Sequence, residues 1–117
     1  MQYALLFYSP GNPVDSFPAP ERDAWYAEMR AWREELQRAG LHRAALRLAG
    51  VDAATSLRGQ GGSVLVTDGP FAETKEILGG LFVVECRDRD EALGWARRCP
   101  IVRIGTVEVR PEIPLPR

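Results

Sequence analysis

The 117-residue chain reads as a single α+β domain, and three observations carry that reading. Apolar runs at Gln2–Tyr8, Leu81–Cys86 and Ile104–Arg110 alternate with the period of two that strands show. Two segments, Glu21–Ala39 and Asp88–Cys99, carry apolar residues at helical spacing with charges between. The order along the chain is strand, helix, strand, hairpin, strand, helix, strand, which is a split βαβ unit repeated twice, the ferredoxin-like arrangement, with an added β-hairpin.

Gln2–Tyr8 places Tyr3, Leu5 and Phe7 on one face and Ala4, Leu6 and Tyr8 on the other. Both faces are apolar, as in a central strand covered on two sides. Ser9–Pro20 follows, with four prolines, a loop long enough to wall a pocket or close over one. In Glu21–Ala39 the residues Trp25, Met29, Trp32 and Leu36 form one stripe, read as packing onto a sheet rather than as a ligand box. Glu21 and Asp23 suit the positive end of the helix dipole, and Gly40 suits the C′ stop. Leu41–Leu48 fits neither period cleanly; a short strand is favoured over a continued helix because Gly40 and Gly50 bound it. Thr55–Arg58 and Ser63–Thr67 flank Gly59-Gln60-Gly61-Gly62 as a hairpin. Asp88 is placed to cap the second helix, with Glu91 three residues on, and Pro100 ends it. Residues 110–117 hold Pro111, Pro114 and Pro116, an extended tail.

Composition narrows the function. The net charge is −1, so no basic field favours a polyanion and nucleic-acid binding is disfavoured. Arg22, Arg30, Arg33, Arg38, Arg43 and Arg47 are interleaved with acids and form no clear basic face. No apolar run approaches the roughly 18 residues of a membrane span, and Met1-Gln2-Tyr3 lacks a signal-peptide start, so a cytoplasmic location is expected. Cys86 and Cys99 read as buried thiols. His42 is the one histidine, so no metal is expected. The glycine cluster lacks the strand–loop–helix order and the Gly-Lys-Ser/Thr of a phosphate loop, and no cofactor is expected.

The stretch richest in chemistry is Thr67-Asp68-Gly69-Pro70-Phe71-Ala72-Glu73-Thr74-Lys75-Glu76, followed by Gly79-Gly80. Gly69 and Pro70 punctuate the backbone sharply. Asp68 is the candidate general base or acceptor; Lys75 is a candidate for holding an anionic group, and Glu73 and Thr74 stand beside it. Tyr8, Arg58 and His42 are further ligand-binding candidates. The alternative is that Asp68 braces its own turn, Phe71 fills the core or an interface, and Glu73, Lys75 and Glu76 form solvated pairs.

The Asp68-Gly69-Pro70-Phe71 segment, with Glu73-Thr74-Lys75-Glu76 and Leu78-Gly79-Gly80, resembles the DGPF branch of the YCII-related (YciI-like) proteins. The likeness extends to the Met1–Tyr8 strand, the Trp25…Met29 helix, the Asp90-Glu91-Ala92…Trp95-Ala96 helix and Val107-Glu108-Val109-Arg110-Pro111. It implies a dimeric α/β-barrel in which sheets pair across a two-fold axis. That agrees with the patterning, because two helices cover one sheet face and leave a second apolar face for a homodimer partner. The resemblance further implies either small-molecule work, with a His and an Asp as the pair, or a regulatory module tied to an extracytoplasmic-function sigma factor. Here Asp68 stands in the motif, but the Glu21–Ala39 helix holds no histidine and His42 is the only imidazole.

Overall fold

The computed structural model describes residues 1–116. Four antiparallel strands form the main sheet: β1 (Gln2–Ser9), β2 (His42–Arg47), β5 (Ile77–Glu85) and β6 (Thr106–Pro111), in the order β2-β5-β1-β6. Helices α1 (Ala19–Arg38) and α2 (Arg89–Arg98) provide the two crossovers. Strands β3 (Thr55–Gln60) and β4 (Ser63–Asp68) form a separate two-stranded sheet, the inserted hairpin. The expected α+β, ferredoxin-like order is therefore the observed one.

The core lies where the alternation puts it. Tyr3, Leu5 and Phe7 of β1 face Phe82 and Val84 of β5, with Tyr3 opposite Val84 and Leu5 opposite Phe82. Trp32 and Leu36 of α1 and Ala92 and Ala96 of α2 close over them, with Cys99 just past α2. Phe82 meets Trp32 edge-on at 5.0 Å between ring centroids, a favoured geometry for aromatic pairs. Trp32 also donates its Nε1–H to the Trp95 carbonyl, 3.0 Å, tying α1 to α2. At the start of α2, Asp88 accepts from the Glu91 amide at 2.9 Å and Glu91 accepts from the Arg87 amide at 2.9 Å. The reciprocal side-chain pattern is thus close to a capping box, shifted one residue outward on the Glu91 side. Cys99 is extended, and Pro100 begins a separate 3₁₀ turn, Pro100–Arg103.

Most boundaries differ from the sequence reading by a residue or two, α1 for instance beginning at Ala19 rather than Glu21, and three of the differences have a clear physical reason. β5 begins at Ile77, so Gly79 and Gly80 lie inside a strand rather than leading into one. The register shifts between Phe7 and Tyr8, where Phe7 faces Gly80 but Tyr8 faces Leu78. Gly80 is required there because a Cβ would stand 2.7 Å from the Leu46 carbonyl oxygen on β2. The last strand begins at Thr106 rather than Ile104, because the 3₁₀ turn consumes the residues after Pro100. Gly105 then passes so near β1 that a Cβ would lie 2.0 Å from the Tyr8 carbonyl oxygen. Residues 110 and 111 belong to β6, and the Glu112 amide donates to the Gln2 carbonyl at 2.9 Å, so the extended tail begins later than expected.

The hairpin turns on Gly61 and Gly62, with φ of 57° and 83°, the pair of positive values that a two-residue type I′ turn needs. Leu57, Val64 and Val66 share one of its faces, since Leu57 pairs with Val66 and alternate residues point the same way. All three are exposed, Leu57 at 67% and Val66 at 59%. Phe71, expected in the core or an interface, is 79% exposed. It belongs to no core cluster in the single chain. Its bend follows the hairpin, and the chain reaches the main sheet only at Ile77. The molecule measures 48 × 46 × 18 Å with a radius of gyration of 16.5 Å, against roughly 13 Å for a compact chain of this length.

Candidate functional site

At one end of the main sheet, on its helix side, lies a cavity of about 540 Å³. Five segments enclose it, one of them the 3₁₀ turn after α2 with Ile101 and Ile104. Helix α1 contributes Trp25, Tyr26, Met29, Arg30 and Arg33, which the 3.6-residue repeat gathers on neighbouring rows. The segment after β1, residues 9–14, forms a second wall and is anchored by buried Val14, so the proline-rich loop does wall a pocket. The end of β2 with the residues after it brings Arg47, and the start of β5 brings residues 77–80. Phe7 and Phe82 also line the hollow, their rings 5.6 Å apart.

Trp25 is 9% exposed, and its Nε1–H is shielded from solvent without a hydrogen-bond partner. Its ring meets that of Tyr26 edge-on at 5.5 Å. The Arg47 guanidinium stands over the Tyr26 ring at 5.5 Å, a cation–π distance. Arg30, Arg33 and Arg47 are themselves exposed, so they form the rim of the cavity rather than its interior.

Of the residues singled out from sequence, Tyr8 lines this cavity, as do Gly79 and Gly80. Asp68, Arg58, Glu73, Thr74 and Lys75 are exposed and do not line it. The turn at Gly69-Pro70 is braced by its backbone and a hydroxyl: Gly69 N–H donates to the Ala54 carbonyl at 2.7 Å, and Ser56 Oγ donates to the Gly69 carbonyl at 2.8 Å. Among the described residues no hydrogen bond or ion pair uses the Asp68 carboxylate. Thr74 Oγ1 donates to the Glu76 carbonyl at 2.6 Å, and Thr106 Oγ1 donates to Glu76 Oε2 at 3.3 Å. These bonds hold the far end of the bend against the strand end where Tyr8 pairs with Thr106. His42 is half-buried outside the cavity lining; its ring meets Phe82 edge-on at 5.5 Å, and Nε2 has no partner. Among the described residues no hydrogen bond or ion pair joins His42 to Asp68, which stands on the hairpin.

Burial raises the Cys86 thiol to about 11, assisted by the nearby Glu91, and the Cys99 thiol to about 12. Both are free and buried, so neither offers a thiolate at neutral pH. Among the described residues, no group of three or more His, Cys, Asp or Glu side chains is placed to hold a metal ion. Among the described residues, no helix is long and apolar enough to cross a membrane.

The residues that sequence reasoning missed are Tyr26, Arg30, Arg33 and Arg47. A signal was present: Tyr26, Arg30 and Arg33 repeat at intervals of 4 and 3, one position behind the Trp25–Met29–Trp32 stripe. Counted only by sign along the chain, those arginines vanish among acids.

Fold and cavity define a class, an α+β protein of the split βαβ kind with a ligand-sized hollow at one end of its sheet. The chain belongs to the YCII-related family, whose domain matches residues 1–115. An uncharacterised protein of Rhizobium meliloti (strain 1021) is 35% identical over 113 residues, covering 95% of this chain and 91% of that one. The fold is also similar to 5-chloro-2-hydroxyhydroquinone dehydrochlorinase of Burkholderia phenoliruptrix AC1100, solved in complex with 2,5-dihydroxybenzoquinone. The TM-score is 0.58 at 15% identity, over 97% of this chain and 94% of that one.

Proposed function

We propose that this protein binds, and as an enzyme would transform, a small molecule in the cavity between α1 and the end of the sheet. The observation that carries the reading is the cavity itself. Its volume of about 540 Å³ falls within the roughly 300–1,000 Å³ of small-molecule sites, which are mostly apolar with a few placed polar groups. A protein of similar fold, caught with a quinone bound, supports the same class. The cleft lies by the far end of the Asp-Gly-Pro-Phe bend, where Ile77 to Gly80 line it, and not beside Asp68.

The test is a titration of intrinsic tryptophan fluorescence with a set of small aromatic compounds that includes 2,5-dihydroxybenzoquinone. At least one compound should bind saturably. Ala45→Phe, which fills the hollow from an exposed β2 position lining it, should abolish that binding with little change in melting temperature. Binding that survives Ala45→Phe would place the ligand elsewhere and defeat the proposal.

A second copy of the chain is proposed to cover the remaining apolar surface. Leu6, Leu81 and Leu46 lie in register across the outer face of the sheet, and the hairpin face of Leu57, Val64 and Val66 is bare. An isolated two-stranded hairpin is marginal in water, so an arm of this kind needs something to rest on. Sedimentation of the wild-type chain should report a dimer, and Leu57→Glu with Val66→Glu should weaken it; a wild-type monomer at micromolar concentration would rule the dimer out.

A further inference from the structure

We infer that the ligand of this cavity is a small organic acid: an anion with a flat apolar body, its charge met by Arg30, Arg33 and Arg47 at the rim. The inference rests on the proposed function above and narrows it. The chain as a whole carries 16 acidic and 15 basic side chains, yet the cavity is lined by three arginines and by no aspartate or glutamate. Even mixing of charges would have put acids there too. Two acids of α1 are committed elsewhere, Glu28 to Arg103 at 2.6 Å and Glu35 to Arg98 at 3.0 Å, and Glu34 is exposed and outside the lining. Arg30 and Arg33 form no ion pair or hydrogen bond among the described residues. Arg47 is held by the Tyr26 ring rather than by a carboxylate. Three uncompensated guanidiniums around one mouth repel one another and attract an anion, and their planar forks match a carboxylate in paired hydrogen bonds.

The floor selects the rest of the molecule. Phe7, Phe82 and Trp25 line the interior. A small hydrated anion such as inorganic phosphate would satisfy the rim and leave that surface wet; a flat apolar body would cover it. Trp25 adds a polar cue, an N–H that is shielded from water and bonds to nothing in the free protein. That nitrogen has almost no accessible surface, so an acceptor meets it only if the indole turns toward the cavity, and a ligand that drew it round would remove the cost of a buried unsatisfied donor.

The probes are naphthalene-2-carboxylate and its neutral isostere naphthalene-2-carboxamide, titrated into the ¹⁵N-labelled full chain while the Trp25 indole N–H resonance is followed by NMR. Trp25→Phe identifies that resonance by its loss. The carboxylate should shift it saturably and bind about tenfold or more tighter than the amide. Arg30→Gln with Arg33→Gln should bring the carboxylate down to the affinity of the amide, while Arg22→Gln, outside the cavity, should change neither. Equal binding of acid and amide would overturn this inference and leave the small-molecule site standing. Failure of both to move Trp25 at concentrations of about 10 mM would overturn both.

Discussion

The two tryptophans of α1 that flank the core should respond unequally to the same substitution. Trp32 and Trp25 are both at least nine-tenths buried, so replacing either by Phe removes similar apolar area. Their N–H groups differ. That of Trp32 donates to the Trp95 carbonyl at 3.0 Å; that of Trp25 donates to nothing. Trp32→Phe loses a neutral hydrogen bond and strands a carbonyl acceptor, a penalty of about 1–3 kcal/mol. Trp25→Phe removes an unsatisfied buried donor, which returns about 1–3 kcal/mol and offsets its packing loss. Trp32→Phe should therefore be more destabilising by about 2–6 kcal/mol. Urea unfolding of both variants, at one protein concentration and with m-values compared, gives the difference directly. Equal losses would mean that the Trp25 N–H is paired in solution, and would remove the polar cue from the cavity argument. A Trp25→Phe variant near wild-type stability that loses the carboxylate probe would mark a residue held for its ligand rather than for its core.

Three further outcomes follow from contacts elsewhere. Gly105→Ala places a methyl 2.0 Å from the Tyr8 carbonyl oxygen, so β6 must shift away from β1; a loss of at least about 2–3 kcal/mol is expected in chemical denaturation. Asp68→Asn should change stability by no more than about 0.5 kcal/mol, because its exposed carboxylate braces nothing; a larger loss would revive its role as a turn brace. The raised thiols make stability fall in alkali: the folded values are about 11 and about 12 against 9.0 for an unburied thiol. Their contribution is whole below pH 9.0, and is lost as pH rises from there through the folded values, since the unfolded chain ionises first. Stability measured from pH 8 to 11 should decline, and Cys99→Ala should reduce the slope; an unchanged slope would exclude the thiol as its source.

The sheet was legible because its code is short-range. Alternation in Gln2–Tyr8 and Leu81–Cys86 fixes which face each side chain takes, and burial then sorts Leu5 and Phe82 inward. The capped start of α2 was legible for the same reason, since Asp88 and Glu91 are three residues apart. What sequence order hid was chemistry assembled across distance. Arg47 meets Tyr26 only because β2 lies beside α1, and the acid-free lining appears only once segments from distant parts of the chain are brought to one end of the sheet. Asp68 drew attention because ionisable groups crowd its neighbourhood in sequence. Crowding along a chain does not make a pocket, and here the same residues are exposed on the hairpin and the bend that follows it.

The position of the cavity follows from one irregularity in the sheet. β5 carries an extra residue where Phe7 faces Gly80 and Tyr8 faces Leu78, and an extra residue on one strand bends it and increases its local twist. Gly80 lets β2 approach at that point, since any side chain there would strike the Leu46 carbonyl. Past the irregularity, α1 covers the strands with aromatic and arginine side chains at the end of the sheet, and the loop from Ser9 to Val14 walls the space that remains. Gly79-Gly80 thus does more than connect the Asp-Gly-Pro-Phe bend to a strand. A bulkier residue at Gly80 would push β2 and its Arg47 away from Tyr26, so the local backbone requirement and the charge at the cavity mouth are coupled. On this argument Gly80→Ala should weaken binding of the carboxylate probe more than that of its amide.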